Sequence, residues 1–521
     1  MHKARKLHIS DNLKRHFITL LILLVTICIN AQTPGSLDNT FGMSGIVVTP
    51  INISGSIVKA MTIQTDGKIL VAGYSGWGSN NNEFAVARYN IDGTLDSTFG
   101  TNGIVLTQIG IDDASGNAIA LQTDGKIIIA GYAVGVFHYD FALVRYNQNG
   151  TLDTIFGTNG KTITSLGLVD DVINAIFIQP DGKIVATGFA EGYFGLARYN
   201  TSGILDTTFG TGGTVLTNFG SAGCEAKAIA IQTNGKIVVA GQAWNSSGSI
   251  YTFKIMQFNS NGTLDTSFGT GGAIETVVGS HNDDRANAVA IQTDGKIIAA
   301  GWTYGDTGYD FALVRYNING TLDLNFGTAG KAITSISSGY DQAYAVTLQT
   351  DGKIVTSGYA SNYLSGNFAL IRYNINGTLD NNFGTGGIVT TQIDIFGSGA
   401  YAVAVQPDGK IIAAGYSYSD STINFALARY YGGIGSGVNE EKIRNTIKVY
   451  PNPASNKIII DCNDLAKDKM ISIFNIQGQV LFQKEFQQER IEIDIADYAK
   501  GIYFVKIKTA NSIKTEKLII Q

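Results

Sequence analysis

Two short signatures, each present seven times and always in the same order, constrain this chain more than any other feature. A Q-x-x-G-K motif begins at Gln64, Gln122, Gln179, Gln232, Gln292, Gln349 and Gln406; an L-D-x-x-F-G motif begins at Leu37, Leu95, Leu152, Leu205, Leu264, Leu322 and Leu379. Successive Gln positions lie 53 to 60 residues apart, a period that marks a ring or stack of supersecondary units. In the unit around Gln122, the apolar stretch NAIALQ (Asn117 to Gln122) meets a Thr-Asp-Gly turn, read as a two-residue hairpin, and continues as KIIIAGY. A variable loop leads to FALVRYN (Phe141 to Asn147), then to a QNGT turn, Leu152 to Phe156, and Lys161 to Ser165. Four short antiparallel strands joined by Gly-rich turns form the pattern of a propeller blade.

The ends of the array decide how the units close. The first L-D-x-x-F-G, at Leu37, has no strands before it, and the last FALARY, Phe425 to Tyr430, has no L-D-x-x-F-G after it. Together they complete one blade. Residues 37 to 49 are therefore expected to supply the outer strand of a blade whose inner three strands come from about 400 to 430, removing the exposed sheet edges. An open solenoid of seven units would leave both half-repeats unpaired.

The flanks differ from the array. Residues 1 to 31 combine Lys3, Arg5, Lys6, Lys14 and Arg15 with the apolar run Phe17 to Ile29, followed by Asn30-Ala31-Gln32, the pattern of a cleaved export signal. Its removal takes away five basic residues and one acidic one, so the formal charge of −5 falls by four more units. A chain this acidic is not expected to bind nucleic acid. Cys224 and Cys462 are the cysteines left after cleavage; they fall in different domains, so no disulfide framework is expected. The reading is a signal at 1–31, a propeller at 32–431, a linker at 432–445 and a β-sandwich at 446–521. The fold class is all-β: a seven-bladed propeller closed by an N-terminal strand, followed by a small Ig-like sandwich.

The two repeated motifs resemble the delta-60 repeat proteins, over residues 37 to 430; that resemblance implies architecture and carries no activity. The C-terminal segment resembles the type A C-terminal sorting domain of the type IX secretion system of Bacteroidetes. The residues that carry this likeness are VYPNPASNKIII (Val449 to Ile460), IFNIQGQVL (Ile473 to Leu481), KGIYFVKI (Lys500 to Ile507) and the terminal KTEKLIIQ. It implies the secretion machinery as a partner, passage across the outer membrane, and release or attachment to surface polysaccharide, so the product is expected in the medium or on the outer-membrane surface.

The repeated Asp and Arg of the units (Asp38, Asp96, Asp153, Asp206, Asp265, Asp323, Asp380; Arg88, Arg145, Arg198, Arg315, Arg372, Arg429) flank one turn and are expected to pair across strands, except where Gln257 replaces Arg. Function is sought in what varies. The constant turns share one face of the ring and the loops joining strands two to three and four to one share the other. All three Trp, Trp77, Trp244 and Trp302, are assigned to these variable loops, with Tyr139, Tyr193, Tyr304, Tyr309, Tyr363 and Tyr418, a surface suited to glycan or protein. Carboxylates recur before the inner strand, among them Asp113, Asp171, Asp284 and Asp341. They could ring the channel mouth as a carboxylate pair for glycoside cleavage, or simply begin strands as Asx turns. No nucleophile elbow, P-loop or Cys/His metal cluster is present, so no metal or cofactor is expected. The reading is a non-catalytic binding or adhesion module; the alternatives are a polysaccharide hydrolase or lyase and a scaffold.

Overall fold

A computed structural model describes residues 33–433 and 447–521, apart from 77–80, 136, 218–222, 245–249, 282, 363–364, 420–421, 463–468, 476–479, 489 and 510–512. The segment 1–31, read as an export signal, and residues 434–445 of the expected linker lie outside these residues. The chain divides into two compact units, residues 1–433 and 434–521.

In the first unit every repeat is a four-stranded antiparallel blade. Blade one runs from the channel outward as Ser56–Ile63, Ile69–Ser75, Glu83–Tyr89 and Ile104–Thr107. The innermost strands of blades two to seven are Ala114–Leu121, Asp171–Ile178, Glu225–Ile231, Asp284–Ile291, Tyr340–Leu348 and Ser398–Val405. Blade seven is completed from the other end of the chain: Ile46–Thr49 pairs with Thr422–Tyr430 in the register Ile46 to Ala428. The ring is thus closed by an N-terminal strand, as the half-repeats require. Its fourth strand is shorter than residues 37 to 49, because Asp38 to Gly45 form turns and Leu37 makes a single bridge to Tyr430.

The Q-x-x-G-K turn also differs in detail from expectation. Gly125 N–H donates to the Gln122 carbonyl and Gln122 N–H to the Lys126 carbonyl. The loop therefore holds three residues, with Gly125 at φ 79° supplying the left-handed position that such a loop needs. Between blades the walls are apolar: Phe99, Ile127, Val144 and Tyr146 form one buried cluster across blades one and two.

The repeated charges do pair, as a three-part knot. In blade one the Asp96 carboxylate meets Arg88 Nε at 2.7 Å and Lys68 Nζ at 2.8 Å. Arg88 also donates to the Gln148 carbonyl in the turn of blade two and stacks over Phe99. Five further Arg repeat this reach, Arg429 of blade seven donating to Ile91 of blade one. The Lys of the first motif, the Asp of the second and the Arg of strand three are thereby joined, and six blades are fastened to the next; in blade four Gln257 replaces the Arg and Lys236 alone meets Asp265. Asp38 meets Arg429 Nε at 2.8 Å and Lys410 Nζ at 3.1 Å. Burial would raise these seven carboxyls, but hydrogen bonds from the Lys and from neighbouring Ser, Thr or backbone donors, with the Lys and Arg charge, hold all seven below the usual carboxylate range.

In the second unit the sheet Ile447–Tyr450, Lys457–Cys462, Arg490–Asp494 faces the sheet Val480–Phe486, Lys469–Asn475, Gly501–Thr509, Ile513–Ile520. Ile458, Ile460, Ile471, Ile473, Val505 and Leu518 fill the space between them, the alternation of a sandwich.

A group whose folded pKa lies below its unfolded value contributes fully above the unfolded pKa, and loses that contribution as pH falls toward the folded value. Thermal melts of the propeller are therefore expected to drop below about pH 5, where the contribution of these seven carboxylates is lost. Asp38→Ala, which leaves Arg429 and Lys410 without their carboxylate, is expected to cost about 3–5 kcal/mol at pH 7. A melting point unchanged by Asp38→Ala would contradict the knot.

Candidate functional site

The channel wall is set by a glycine in each second strand. In blade two, a Cβ on Gly131 would stand 1.7 Å from the Ser115 carbonyl oxygen; the same near-contact recurs at Gly73, Gly188, Gly241, Gly301, Gly358 and Gly415, at 1.8 to 2.1 Å. Only a residue without a side chain lets the innermost strand come this close, and beside each glycine that strand bulges by one residue. The extra residue is left unpaired and re-aimed. The seven bulge residues are Lys59, Asn117, Asn174, Lys227, Asn287, Tyr344 and Tyr401, and all seven line one cavity of about 730 Å³, with Tyr74, Asn82, Ser115 and Tyr132.

Three of the seven brace the ring. Asn117 Nδ2 donates to the Ile173 carbonyl, Asn174 to Ala226 and Asn287 to Ala343, at 2.8 to 2.9 Å, each bond crossing to the next blade. Lys227 pairs with Glu225 at 2.5 Å, and Glu225 also accepts from Asn174. Lys59 lies 4.2 Å from the centre of the Tyr401 ring and 5.8 Å from that of Tyr74. Desolvation, and then the charge of Lys227, push its ammonium down to about 8. Burial pushes the Tyr74, Tyr132, Tyr344, Tyr401 and Tyr416 phenols up, so they stay neutral.

On the variable-loop face, aromatic side chains gather along blades four to six. Trp244 stacks on Tyr251 with centroids 4.2 Å apart; Trp302 meets Tyr309 at 4.3 Å, and Tyr309 meets Tyr304 at 5.2 Å and Tyr340 at 5.3 Å. The Arg285 guanidinium lies 4.5 Å from the Tyr251 ring and 4.9 Å from Trp302, held by Asp283 at 2.9 Å. Tyr304 and Tyr340 are exposed, at 41% and 42%.

The sequence-derived candidates divide accordingly. Trp77 and Tyr363 lie outside the described residues. Trp244, Tyr304 and Tyr309 belong to the array just described. Tyr139 stacks on Tyr132 at 4.5 Å in blade two, Tyr193 begins the third strand of blade three and Tyr418 is exposed on blade seven, so these three stand apart from it. Trp302 is corrected: it sits inside the strand Ile297–Tyr304, opposite Phe311, and is buried beneath Arg285 and Tyr309. The picture of a carboxylate ring at the channel mouth is corrected too. Asp171, Asp284 and Asp341 are fully buried and accept backbone N–H bonds from Leu166, Val278 and Ile336 at 2.6 to 2.7 Å. Burial pushes the Asp171 carboxyl up to about 6, and that of Asp284 upward. These side chains fasten the incoming loop to the strand. Only Asp113 stays at the mouth, accepting from Asn82 N–H at 3.3 Å and the Tyr132 hydroxyl at 3.4 Å. Cys224 occupies the position of Asp171 in blade four and is buried.

The bulge ring escaped the sequence reading, although a signal existed. Five residues before each motif Gln stands a Lys, Asn or Tyr, and in all seven units the next residue is Ala. A polar or aromatic residue recurring inside an otherwise apolar strand marks a side chain that does not face the core.

The fold and channel define a seven-bladed, strand-closed propeller followed by a separate β-sandwich. Residues 64–99, 122–156, 179–209, 232–268, 292–326, 349–383 and 406–430 match the family described as "Domain of unknown function (DUF5122) beta-propeller". Residues 448–521 match "Secretion system C-terminal sorting domain". The chain carries seven repeats of this propeller family, of the delta-60 type, and a type IX secretion sorting domain, which directs it to the cell surface or the medium. No curated protein matches it in sequence. Among solved structures it is similar to PorZ of Porphyromonas gingivalis, described as an essential surface component of the type IX secretion system, at 14% identity and TM-score 0.41 over 88% of this chain. It spans 59% of that PorZ chain. Virginiamycin B lyase of Staphylococcus aureus aligns at 12% identity and TM-score 0.40, over 74% of this chain and 98% of the lyase. Sqt1 of Chaetomium thermophilum aligns at 14% and 0.41, over 73% and 97%.

The glycine–bulge coupling is open to test. Gly358→Ala, whose Cβ would stand 1.9 Å from the Gln342 carbonyl, is expected to destabilise by about 3 kcal/mol, the upper end of the overpacking range. Gly212→Asn, in open space at φ 63° where the equivalent turns carry Asn102 and Asn159 at φ 53° and 52°, is expected to be neutral. Equal melting points for the two variants would refute the coupling.

Proposed function

We propose that this exported propeller is a non-catalytic binding module whose variable-loop face engages a glycan or protein ligand at the surface or in the medium. The observation that carries this reading is the aromatic array of blades four to six, in which exposed Tyr304 and Tyr340 flank the Trp302–Tyr309 and Trp244–Tyr251 stacks around Arg285. Rings fixed by one another lose little side-chain entropy on binding and offer flat faces to sugar rings or apolar side chains. Exposed Ile53, Ile111, Phe137, Leu168 and Phe396 on loops of the same face add apolar surface for a macromolecular partner.

The alternative, a hydrolase or lyase acting through channel-mouth carboxylates, needs carboxyl groups that face substrate, two of them for glycoside hydrolysis. Asp171, Asp284 and Asp341 are instead buried and engaged by backbone N–H groups, which favours the binding reading.

Two measurements follow. On glycan and surface-protein arrays, a Trp244→Ala/Tyr304→Ala/Tyr340→Ala variant that remains folded by circular dichroism is expected to lose at least about tenfold in affinity, the scale of removing several interface anchors; retained binding would sink the reading. Mass spectrometry of surface and medium fractions is expected to find a mature N-terminus near Gln32 and, where the sorting domain is removed, a C-terminus near Gly432. An unprocessed Met1 terminus on the surface form would contradict the proposed division into signal, propeller, linker and sorting domain.

A further inference from the structure

The bulge ring gives the channel a chemistry separate from the loop face. Two ammonium groups enter it, Lys59 from blade one and Lys227 from blade four. Lys227 is neutralised by Glu225 at 2.5 Å. Lys59 has no carboxylate within ion-pair range among the described residues; its contacts are the faces of Tyr401 and Tyr74. One positive charge in the wall is thus left over, in a cavity of about 730 Å³, within the size range of small-molecule sites. A partly desolvated ammonium without a counter-ion is costly, and a bound anion removes the cost.

The rest of the wall narrows the ligand. Amides from Asn117, Asn174 and Asn287, the Ser115 hydroxyl and the Tyr132, Tyr344 and Tyr401 phenols surround the cavity, offering hydrogen bonds to hydroxyl groups and ring faces for stacking. One unpaired Lys, with no Arg fork among the lining residues, suits a single negative charge better than a phosphate, which favours bidentate and multiple donors. Asp113, bonded to Tyr132 and Asn82 at the mouth, disfavours multiply charged anions.

We propose that the channel binds a polyhydroxylated monocarboxylate, a uronic acid in its simplest form, with the carboxylate on Lys59 and the sugar hydroxyls on the Asn and Tyr groups of the ring. This site is independent of the aromatic array, which contributes none of its lining residues. Affinity depends on the charged form of Lys59, so it falls as pH rises through about 8. The groups facing Lys59 are Lys227 with its partner Glu225, Asp113 at the mouth, and the raised phenols of Tyr74, Tyr132, Tyr344, Tyr401 and Tyr416, which stay neutral across that interval.

Isothermal titration calorimetry on the purified full chain would use galacturonate, glucuronate, a short oligogalacturonate, glucose, acetate and inorganic phosphate, at pH 6.5 and pH 9.5. The expected result is that the uronates bind at least about tenfold tighter than glucose, acetate and phosphate, one ion-pair's worth, and lose about tenfold at pH 9.5. Lys59→Met is expected to abolish the preference for uronate over glucose; should it fail to fold by circular dichroism, Lys59→Gln takes its place. Trp244→Ala/Tyr304→Ala/Tyr340→Ala is expected to leave uronate binding unchanged, which separates this site from the loop-face reading. Preference for the oligomer identifies a polysaccharide end as the source, and preference for the monomer a free sugar acid; both uphold the site. Equal binding of glucose and galacturonate, tighter binding of phosphate, an unaltered Lys59 variant, or no uronate binding would each overturn it.

Discussion

A buried carboxylate held by two cations from distant stretches of chain is the interaction on which the ring depends. Each L-D-x-x-F-G aspartate is buried too deeply to tolerate its charge alone; in six blades an Arg from strand three and a Lys from the first turn meet it, and in blade four, where Gln257 replaces the Arg, Lys236 does so. The same Arg reaches the turn of the next blade, and the glycine that ends the motif donates its N–H to a carbonyl of that turn. The second motif is therefore the joint between blades. At closure the joint is assembled from both chain ends: Asp38 meets Arg429 across a separation of 391 residues, Tyr431 donates its hydroxyl to Asp38, and Gly35 N–H donates to the Tyr431 carbonyl. Where other blades have a continuous turn, blade seven has two termini held by hydrogen bonds.

The charge knot lies at the outer turns, while the channel is governed by the glycine of each second strand. Because the close approach at this glycine forces a bulge in the innermost strand, one side chain per blade is released from pairing and delivered to the cavity. The geometry is constant and the chemistry is free: three amides tie neighbouring blades together, two lysines bring charge, and two tyrosines bring ring faces. A repeat protein can thus change what its channel presents by substituting at these seven positions.

The sevenfold motifs made the architecture legible, because turn glycines and paired charges are local requirements that must recur in every unit. Ring closure was legible from the two half-repeats. The candidate site was legible only in part. Sequence position placed the aromatics on the loops; Trp244, Tyr304 and Tyr309 instead end or begin strands at the loop edge, where they cluster, and Trp302 lies two residue pairs inside the Tyr304–Tyr309 pair and is buried. Asp171, Asp284 and Asp341 look like surface carboxylates in sequence; their burial follows from the loop folding back to place backbone N–H groups on them, a long-range fact that spacing does not encode. The bulge ring was hidden because Asn117 or Lys59 interrupts an apolar strand as an isolated polar residue, and what aims it inward is a glycine more than a dozen residues later.

Blade four shows how the constant frame and the variable face compensate for each other. Gln257 replaces the Arg and donates to Gln232 within its own blade, so no guanidinium reaches the turn of blade five. Phe258 replaces a Tyr that elsewhere donates to a Thr of the preceding blade, as Tyr146 does to Thr107. The Lys254–Glu275 pair at 3.1 Å spans two strands of blade four and so stiffens the blade without fastening it to its neighbour. The Gly269 N–H bond to the Asn319 carbonyl remains at the turn, and further fastening is supplied on the opposite face: Arg285 of blade five lies over Tyr251 of blade four and Trp302 of its own blade, and Tyr251 bridges to Asp283. Each such cation–ring contact is worth about 0.5–2 kcal/mol, comparable to the hydrogen bonds lost at the turn. The aromatic array is therefore a structural brace as well as a surface, and its rings are held in place, before any ligand arrives, by the same contacts that make up for the missing arginine.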